Sequence, residues 1–125
     1  MRKNIAIVEE IVRLANEAMT RIKEVSPEQT RGYVASGSTL IDVREEKEFK
    51  AGSIAGAIHI SRGHLPNRIA DVIPDKSTPI ITFCAVGHRS AIAADTLQKL
   101  GYINVSSMAG GLKAYLVTPT DRKSA

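Results

Sequence analysis

The segment PIITFCAVGHRS, residues 79–90, reads as a buried strand, a short loop and the first residues of a helix. Its apolar beginning is nearly continuous, as is typical of a parallel strand covered on both faces. The helix is predicted to begin near Arg89 or Ser90 and to end at Gly101. Cys84 is therefore expected at the carboxyl end of a parallel strand, where open α/β sheets bind their ligands.

Short apolar runs alternate with helical segments from Thr39 onward. The predicted strands cover residues 39–43, 57–60, 79–83 and 104–108, and short helices are predicted at residues 45–50 and 66–72. Strands that alternate with helices indicate an α/β sandwich with a mainly parallel central sheet.

The first part of the chain has a different pattern, which predicts two consecutive helices. Apolar residues recur with helical spacing over residues 4–24, and this spacing predicts an amphipathic helix. The sequence Ser26-Pro27-Glu28-Gln29 is typical of a helix start, with an N-cap, a proline at the first position and a capping-box partner. This second helix is predicted to end near Ser36 and Gly37.

These patterns divide the 125 residues into three parts. We expect an N-terminal amphipathic helix over residues 1–25, a single domain over residues 26–118 and a flexible tail over residues 119–125. The N-terminal helix is interpreted as an extra layer packed on the domain, with a partner-docking or dimer-forming helix as the alternative. A single domain is also what this length allows.

Composition and charge exclude several classes of protein. No apolar run reaches about 18 residues, so we expect no membrane-spanning segment, and Glu9, Glu10 and Arg13 interrupt any signal-peptide core. The net charge of +4 is mild, and charges of both signs are interleaved apart from Arg122 and Lys123. A nucleic-acid partner would need a concentrated basic face. We therefore expect a cytoplasmic protein with no membrane or nucleic-acid partner.

The chain has a single cysteine, Cys84, which excludes an internal disulfide and a Cys-x-x-Cys site. His59 and His64 are five residues apart and, together with His88, lack the spacing of a metal site. We expect no metal and no other cofactor.

The loop after Cys84 is suited to hold an anion. Gly87 allows a positive φ where the chain turns to enter the helix. Successive N–H groups of such a loop can point inward, and the next helix adds its positive end. This environment favours the thiolate, and Arg89 supplies a planar charged donor that can close the ring. The alternative is an ordinary strand-to-helix turn, because Cys-x4-Arg alone is a weak pattern.

Residues 40–116 resemble the rhodanese (thiosulfate sulfurtransferase-like) domain family in several segments that occur in the same order. The matching segments are Ile41-Asp42-Val43-Arg44 with Glu48-Phe49, Gly52-Ser53-Ile54-Ala55-Gly56-Ala57-Ile58, Cys84 with Gly87-His88-Arg89-Ser90, residues 93–97, residues 100–105, and Ala109-Gly110-Gly111. The resemblance implies a three-layer sandwich with helices on both faces of a mainly parallel sheet, to which the N-terminal helix is an addition.

The resemblance also implies roles for individual residues. Cys84 is expected to be the nucleophile that accepts sulfur, and the backbone of the next five residues its anion-binding cradle. The cradle residues are Ala85, Val86, Gly87, His88 and Arg89. The supporting residues are Asp42, Arg44 and Ser90. We expect Asp42 to accept hydrogen bonds from the loop, Arg44 to anchor the preceding turn, and the His88 side chain to point outward.

Three positions depart from the family pattern. Ser53 stands where a histidine is usual, and Tyr115 where a tryptophan is usual, so the local packing there is in question. Ala85 replaces the arginine of some thiosulfate-specific members, which leaves the identity of the sulfur donor open.

The implied activity is sulfur transfer by two displacements at sulfur. The Cys84 thiolate attacks the outer sulfur of an anionic donor such as thiosulfate and expels sulfite. A thiophilic acceptor, cyanide or a thiol, then removes the sulfur from the Cys84 persulfide. The expected partners are a small anionic sulfur donor and a thiol or protein sulfur acceptor.

Two other functions fit part of the pattern. A non-catalytic rhodanese-like interaction module would share the fold, but such modules commonly lose the cysteine that this chain retains. Protein phosphatases and arsenate reductases carry five residues between cysteine and arginine, whereas four residues separate Cys84 from Arg89. The smaller ring suits one sulfur atom better than a phosphoryl group.

Overall fold

The computed structural model describes residues 2–118, in which a parallel sheet lies between two layers of helices. The strands are β1 (Lys23–Val25), β2 (Thr39–Asp42), β3 (Ile58–His59), β4 (Ile80–Phe83) and β5 (Val105–Met108). They are parallel throughout and lie in the order β1-β5-β4-β2-β3. The predicted tail, residues 119–125, lies outside the described residues.

Helices cover both faces of this sheet. They are α1 (Arg2–Met19), α2 (Pro27–Ala35), α3 (Glu46–Ala51), α4 (Leu65–Val72), α5 (His88–Lys99) and α6 (Gly111–Val117), with a 3₁₀ turn at Arg62–His64. The helices α4 and α5 pack on one face, with α1 outside α5, and α2 and α6 lie together on the other. The predicted three-layer α/β sandwich is confirmed. None of the helices in residues 2–118 has the length and apolar character needed to cross a membrane.

The two central strands contribute to a separate apolar core on each face. Leu40 and Ile81 belong to the core on the α6 side, whereas their neighbours Ile41 and Ile80 belong to the core on the α4–α5 side. Successive strand residues point to opposite faces, and each of these four is at most 4% exposed. Burial of an Ile or Leu side chain contributes about 1.5–3 kcal/mol. This two-sided burial is why residues 79–83 are apolar apart from Thr82 and show no alternation of apolar and polar residues.

The chain between α1 and α2 differs from the sequence-based prediction. A helix over residues 4–24 was expected, but α1 ends at Met19 and Lys23–Val25 forms the edge strand β1. Glu24 lies opposite Ser107 in the register of β1 and β5. A strand of three residues is too short to show its own periodicity, so its pairing with β5 determines its conformation. The predicted start of α2 is confirmed, since the Ser26 Oγ accepts the Gln29 N–H at 3.0 Å.

Candidate active site

Cys84 lies between β4 and α5, at the carboxyl edge of the sheet, as predicted. Its side chain is buried, and the residue is only 1% exposed. Gly87, the residue before α5, adopts φ +112° and ψ −9°. Because that region is strained for residues with a Cβ, a glycine is needed where the loop turns into the helix.

Two backbone N–H groups converge on the Cys84 sulfur. Gly87 N–H donates to Sγ at 3.1 Å, and Ser90 N–H donates to it at 3.3 Å. Both donors point at the position where a negative charge on the sulfur would lie. Within the described residues, the other N–H groups of the predicted cradle, those of Ala85, Val86, His88 and Arg89, do not bond to Sγ.

A pair of buried hydroxyl groups lies behind the sulfur. The Cys84 thiol is 3.5 Å from the Ser90 Oγ, which in turn lies 2.8 Å from the Ser107 Oγ. Both serines are fully buried. Ser90 was predicted as a supporting residue, whereas Ser107 was missed. Its one signal in the sequence was the pair of serines, Ser106 and Ser107, inside an otherwise buried strand.

The start of α6 holds the loop from behind. Leu112 N–H donates to the Cys84 carbonyl at 2.8 Å, and Lys113 N–H donates to the Ala85 carbonyl at 3.1 Å. Gly111, with φ +64°, lies so close that a Cβ there would be 2.6 Å from the Cys84 carbonyl oxygen and closer still to the Ala85 backbone. These two bonds direct the carbonyl groups of the loop toward α6. The sequence marked Gly111 only as part of a family match and did not indicate this contact.

Arg89 is held by a carboxylate from α3. Its guanidinium forms two hydrogen bonds with Glu48, at 2.7 and 3.1 Å. These bonds, opposed by partial burial, lower the pKa of Glu48 from 4.5 to about 2. Arg89 was predicted to close the anion-binding ring around the sulfur. In this structure its guanidinium bonds to Glu48 instead of to the Cys84 sulfur. Arg89 nevertheless borders the same cleft as Cys84.

The prediction that Asp42 accepts hydrogen bonds from the Cys84 loop is wrong. Among the described residues, the Asp42 carboxylate accepts hydrogen bonds from the Arg44 N–H and guanidinium and, at 2.7 Å, from the Ser53 hydroxyl. Burial opposes ionisation of Asp42, but these hydrogen bonds outweigh it and lower its pKa. Arg44 also donates to the Gly52 carbonyl at 2.6 Å, so the pair holds the end of α3. Asp42 and Arg44 therefore support Glu48's helix rather than the loop itself.

The cleft at Cys84 has a volume of about 160 Å³ and is mostly apolar. Its lining residues are Val8, Ile11, Val12, Cys84, Val86, His88 and Arg89. His88 borders this cleft and is partly buried. The contribution of α1 was not predicted, because residues distant in sequence meet here only through the packing of α1 on α5.

The remaining histidines have structural partners. The His59 Nε2 lies 2.8 Å from the Arg44 carbonyl oxygen, and its ring stacks on Phe49 with the ring centres 4.7 Å apart. The His64 Nδ1 lies 3.1 Å from the Ser61 Oγ. No cluster of three or more potential metal ligands of the His, Cys, Asp or Glu type occurs in the part of the chain that the structure describes.

We expect Glu48→Gln to remove a contribution to stability that depends on pH. The folded state lowers the pKa of Glu48 from 4.5 to about 2, so this contribution is complete above about pH 4.5 and is lost as the pH falls toward 2. The difference in unfolding free energy between the wild type and Glu48→Gln should therefore be largest near neutral pH and shrink below pH 4.5. Urea titrations at a series of pH values measure this difference.

Glu46→Gln is the matched control for this experiment. It lies on the same helix and breaks only an exposed ion pair with Lys50 at 3.1 Å, which should contribute little. If the Glu48→Gln difference were the same at pH 2.5 and pH 7, the ion pair with Arg89 would not be its source.

Comparisons with known proteins point to one family. The family model described as "Rhodanese-like domain" matches residues 26–118. A thiosulfate sulfurtransferase (GlpE) from Stutzerimonas stutzeri is 35% identical over 104 residues, which are 82% of this chain and 94% of that protein.

Solved structures of other proteins share this fold. A Rhodopseudomonas palustris protein, described as of unknown function and a possible tyrosine phosphatase, aligns with a TM-score of 0.76 and 26% identity over 89% of this chain and 93% of its own. A rhodanese with anions from E. coli aligns with a TM-score of 0.58 and 34% identity, covering 66% of this chain and 94% of its own.

Proposed function

This chain belongs to the rhodanese-like family of sulfurtransferases, and from that premise we propose that Cys84 carries a sulfur atom as a persulfide. The observation that carries the proposal is the pair of N–H groups, those of Gly87 and Ser90, that converge on a buried sulfur at 3.1 and 3.3 Å. Such donors stabilise a negative charge on the sulfur, which is the form in which a cysteine acts as a nucleophile.

The first half-reaction loads the cysteine. The Cys84 thiolate attacks the outer sulfur of thiosulfate, the bond between the two thiosulfate sulfurs breaks, and sulfite leaves with the electron pair. Sulfite is a stable anion, so no general acid is required. The outer sulfur of the resulting persulfide is anionic, and we assign the loop N–H groups from Ala85 to Arg89 to bind it. The first N–H groups of α5 suit this role because a helix start leaves them without partners inside the helix.

Arg89 is proposed to attract the anionic donor. Its guanidinium borders the cleft, and the hydrogen bonds and charge of Glu48, together with the nearby Cys84, raise the pKa of Arg89 against the effect of burial. The E. coli relative, whose structure contains anions, supports anion binding by this fold. Because Glu48 is negatively charged and forms an ion pair with Arg89, we assign Glu48 to position the guanidinium rather than to contact the anionic donor.

The second half-reaction passes the sulfur to cyanide or to a thiol. The acceptor attacks the outer sulfur, and Cys84 leaves as a thiolate that the same two N–H groups stabilise. We place this activity in the cytoplasm, since a reducing compartment keeps a catalytic thiol free.

Initial-rate kinetics test this proposal. With thiosulfate and cyanide as substrates, one cysteine that acts on each in turn should give parallel lines in reciprocal plots. Replacing thiosulfate by 3-mercaptopyruvate then identifies the preferred donor. Intersecting lines would indicate a ternary complex and contradict a free persulfide intermediate. Hydrolysis of an aryl phosphate that depends on Cys84, without sulfur transfer, would favour a phosphatase instead.

A further inference from the structure

The cleft at Cys84 has an apolar wall that comes from outside the rhodanese-like domain. Val8, Ile11 and Val12 of α1 line one side of it. The family match begins only at residue 26, so α1 is an addition to the rhodanese-like domain. Val86, an exposed residue of the Cys84 loop, also lines the cleft. The surroundings of the nucleophile therefore differ from what the domain alone would provide.

The packing of α1 keeps this wall in place. Ala15 and Ala18 of α1 pack against Ala91 of α5, and each is at most 2% exposed. Farther along, the Arg21 guanidinium forms two hydrogen bonds with the Asp95 carboxylate, at 3.0 and 2.8 Å. The two helices thus run side by side in the same direction. Earlier residues of α1 are brought to the start of α5, where the Cys84 loop lies.

Two of the residues that line the cleft leave apolar surface exposed at its entrance. Val8 is 59% exposed and Val86 is 51% exposed, and both border the cleft. Apolar side chains at the entrance of a site gain from contact with an apolar ligand and gain nothing from a hydrated dianion such as thiosulfate. The volume of about 160 Å³ is below the range of about 300–1,000 Å³ that holds drug-sized ligands. The cleft therefore fits a short apolar group.

We propose that this cleft binds the sulfur acceptor and that the acceptor is a low-molecular-weight thiol with an apolar body of a few carbon atoms. The inference rests on the proposed persulfide function and adds the class of acceptor. The lining of the cleft supports it, because Cys84 and Arg89 both border the cleft, so that a thiolate bound there lies beside the persulfide sulfur and a positive charge. The thiolate end of the acceptor would lie toward these groups, and its carbon chain would contact Val8 and Val12.

The transfer step balances without any other reactant. The acceptor thiol gives its proton to the anionic outer sulfur of the Cys84 persulfide, and the resulting thiolate attacks that sulfur, so that a bond forms between the two sulfurs. The bond between the outer sulfur and Sγ breaks, with its electron pair going to Sγ. The products are the acceptor persulfide, which keeps the proton, and the Cys84 thiolate.

A series of alkanethiols tests this inference. Cys84 of the full chain is loaded with thiosulfate, the excess donor is removed, and discharge by ethanethiol, propanethiol or butanethiol is followed by intact-mass spectrometry. These thiols have nearly equal acidity, so they differ mainly in apolar length. We expect the second-order rate constant to rise about two- to fourfold for each added methylene. Discharge by cyanide, which has no apolar body, serves as the reference.

Two substitutions on α1 distinguish the effect of contact in the cleft from general effects of placing a serine on this helix. In Val8→Ser, the rate constant for discharge, measured relative to that of cyanide, should rise less than about twofold for each added methylene. The reason is that a hydroxyl replaces apolar contact surface. Ile7→Ser is the matched control, since Ile7 is 57% exposed on the same helix but does not line the cleft. Its chain-length dependence should equal that of the wild type.

Other results of these experiments would overturn the acceptor inference, either alone or together with the proposed function. If cyanide discharges the persulfide but the rate constant does not depend on chain length, the proposed function stands and the acceptor inference is overturned. If Val8→Ser and Ile7→Ser behave alike, α1 does not select the acceptor. If sedimentation shows a dimer that Val8→Ser dissociates, the cleft belongs to a second copy of the chain. If no persulfide forms at all, the proposed function fails and the inference fails with it.

Discussion

Cys84→Ser is expected to reduce sulfur loading from thiosulfate by at least about a thousandfold, because a hydroxyl is a far weaker nucleophile than a thiolate at neutral pH. In the wild type, intact-mass spectrometry without reductant should show a species heavier by one sulfur atom after incubation with thiosulfate. Cyanide should return that species to its original mass and yield thiocyanate. Since Cys84 is the only cysteine in the chain, the variant should show neither event.

The fold of Cys84→Ser should be preserved. A serine Oγ at this position can accept the Gly87 and Ser90 N–H groups that now donate to Sγ, so no buried donor loses its partner. Circular dichroism and urea unfolding check this expectation, and Cys84→Ala provides a second inactive variant. A folded, fully reduced wild type that takes up no sulfur from thiosulfate, 3-mercaptopyruvate or a small persulfide would leave the non-catalytic module as the better description.

Gly111→Ala is expected to destabilise the protein and also to impair its chemistry. The new Cβ would lie 2.6 Å from the Cys84 carbonyl oxygen and closer to the Ala85 backbone, at a φ of +64° that alanine rarely adopts. Backbone strain of this kind costs about 1–3 kcal/mol, and relief of the contact must move the loop away from α6. A shift of about 1 Å at a reacting group can cost about a hundredfold in rate. We expect sulfur loading to fall at least about tenfold in the fraction that remains folded.

Gly63→Ala is the control for the glycine substitution. Gly63 has open space around its Cα and lies in the exposed turn between β3 and α4. Urea unfolding and the rate of persulfide formation should both match the wild type for this variant. Wild-type loading by Gly111→Ala would mean that contact with α6 does not position the Cys84 loop.

Most of the framework was predictable because its signals are local. The nearly continuous apolar run before Cys84 indicated a strand buried on both faces, and its core residues are shared between the two faces as expected. Gly87 was expected to allow a positive φ where the loop turns into the helix, and it has one. Ser26 and Gln29 form the capping box that their spacing predicted. In each case the residues that interact are within a few positions of one another.

The details that decide how Cys84 is surrounded were not predictable in this way. Arg89 was expected at the ring but pairs with Glu48, 41 positions away. Asp42 was expected to hold the loop but holds Arg44 and Ser53. In both cases the side chain had several possible hydrogen-bond partners in the sequence. Which partner it contacts depends on which helices and loops the fold brings next to it.

The sequence by itself determined the α/β class, the position of Cys84 after a buried strand and the left-handed turn at Gly87. Only the tertiary structure decided that residues 23–25 are a strand, that α6 supports the loop through Gly111, and that Val8 and Val12 border the cleft. The physical reason is the range of the interactions. Apolar periodicity, capping and backbone φ act between near neighbours in the chain, whereas strand pairing, close backbone contact and helix packing join residues whose approach only the complete fold determines.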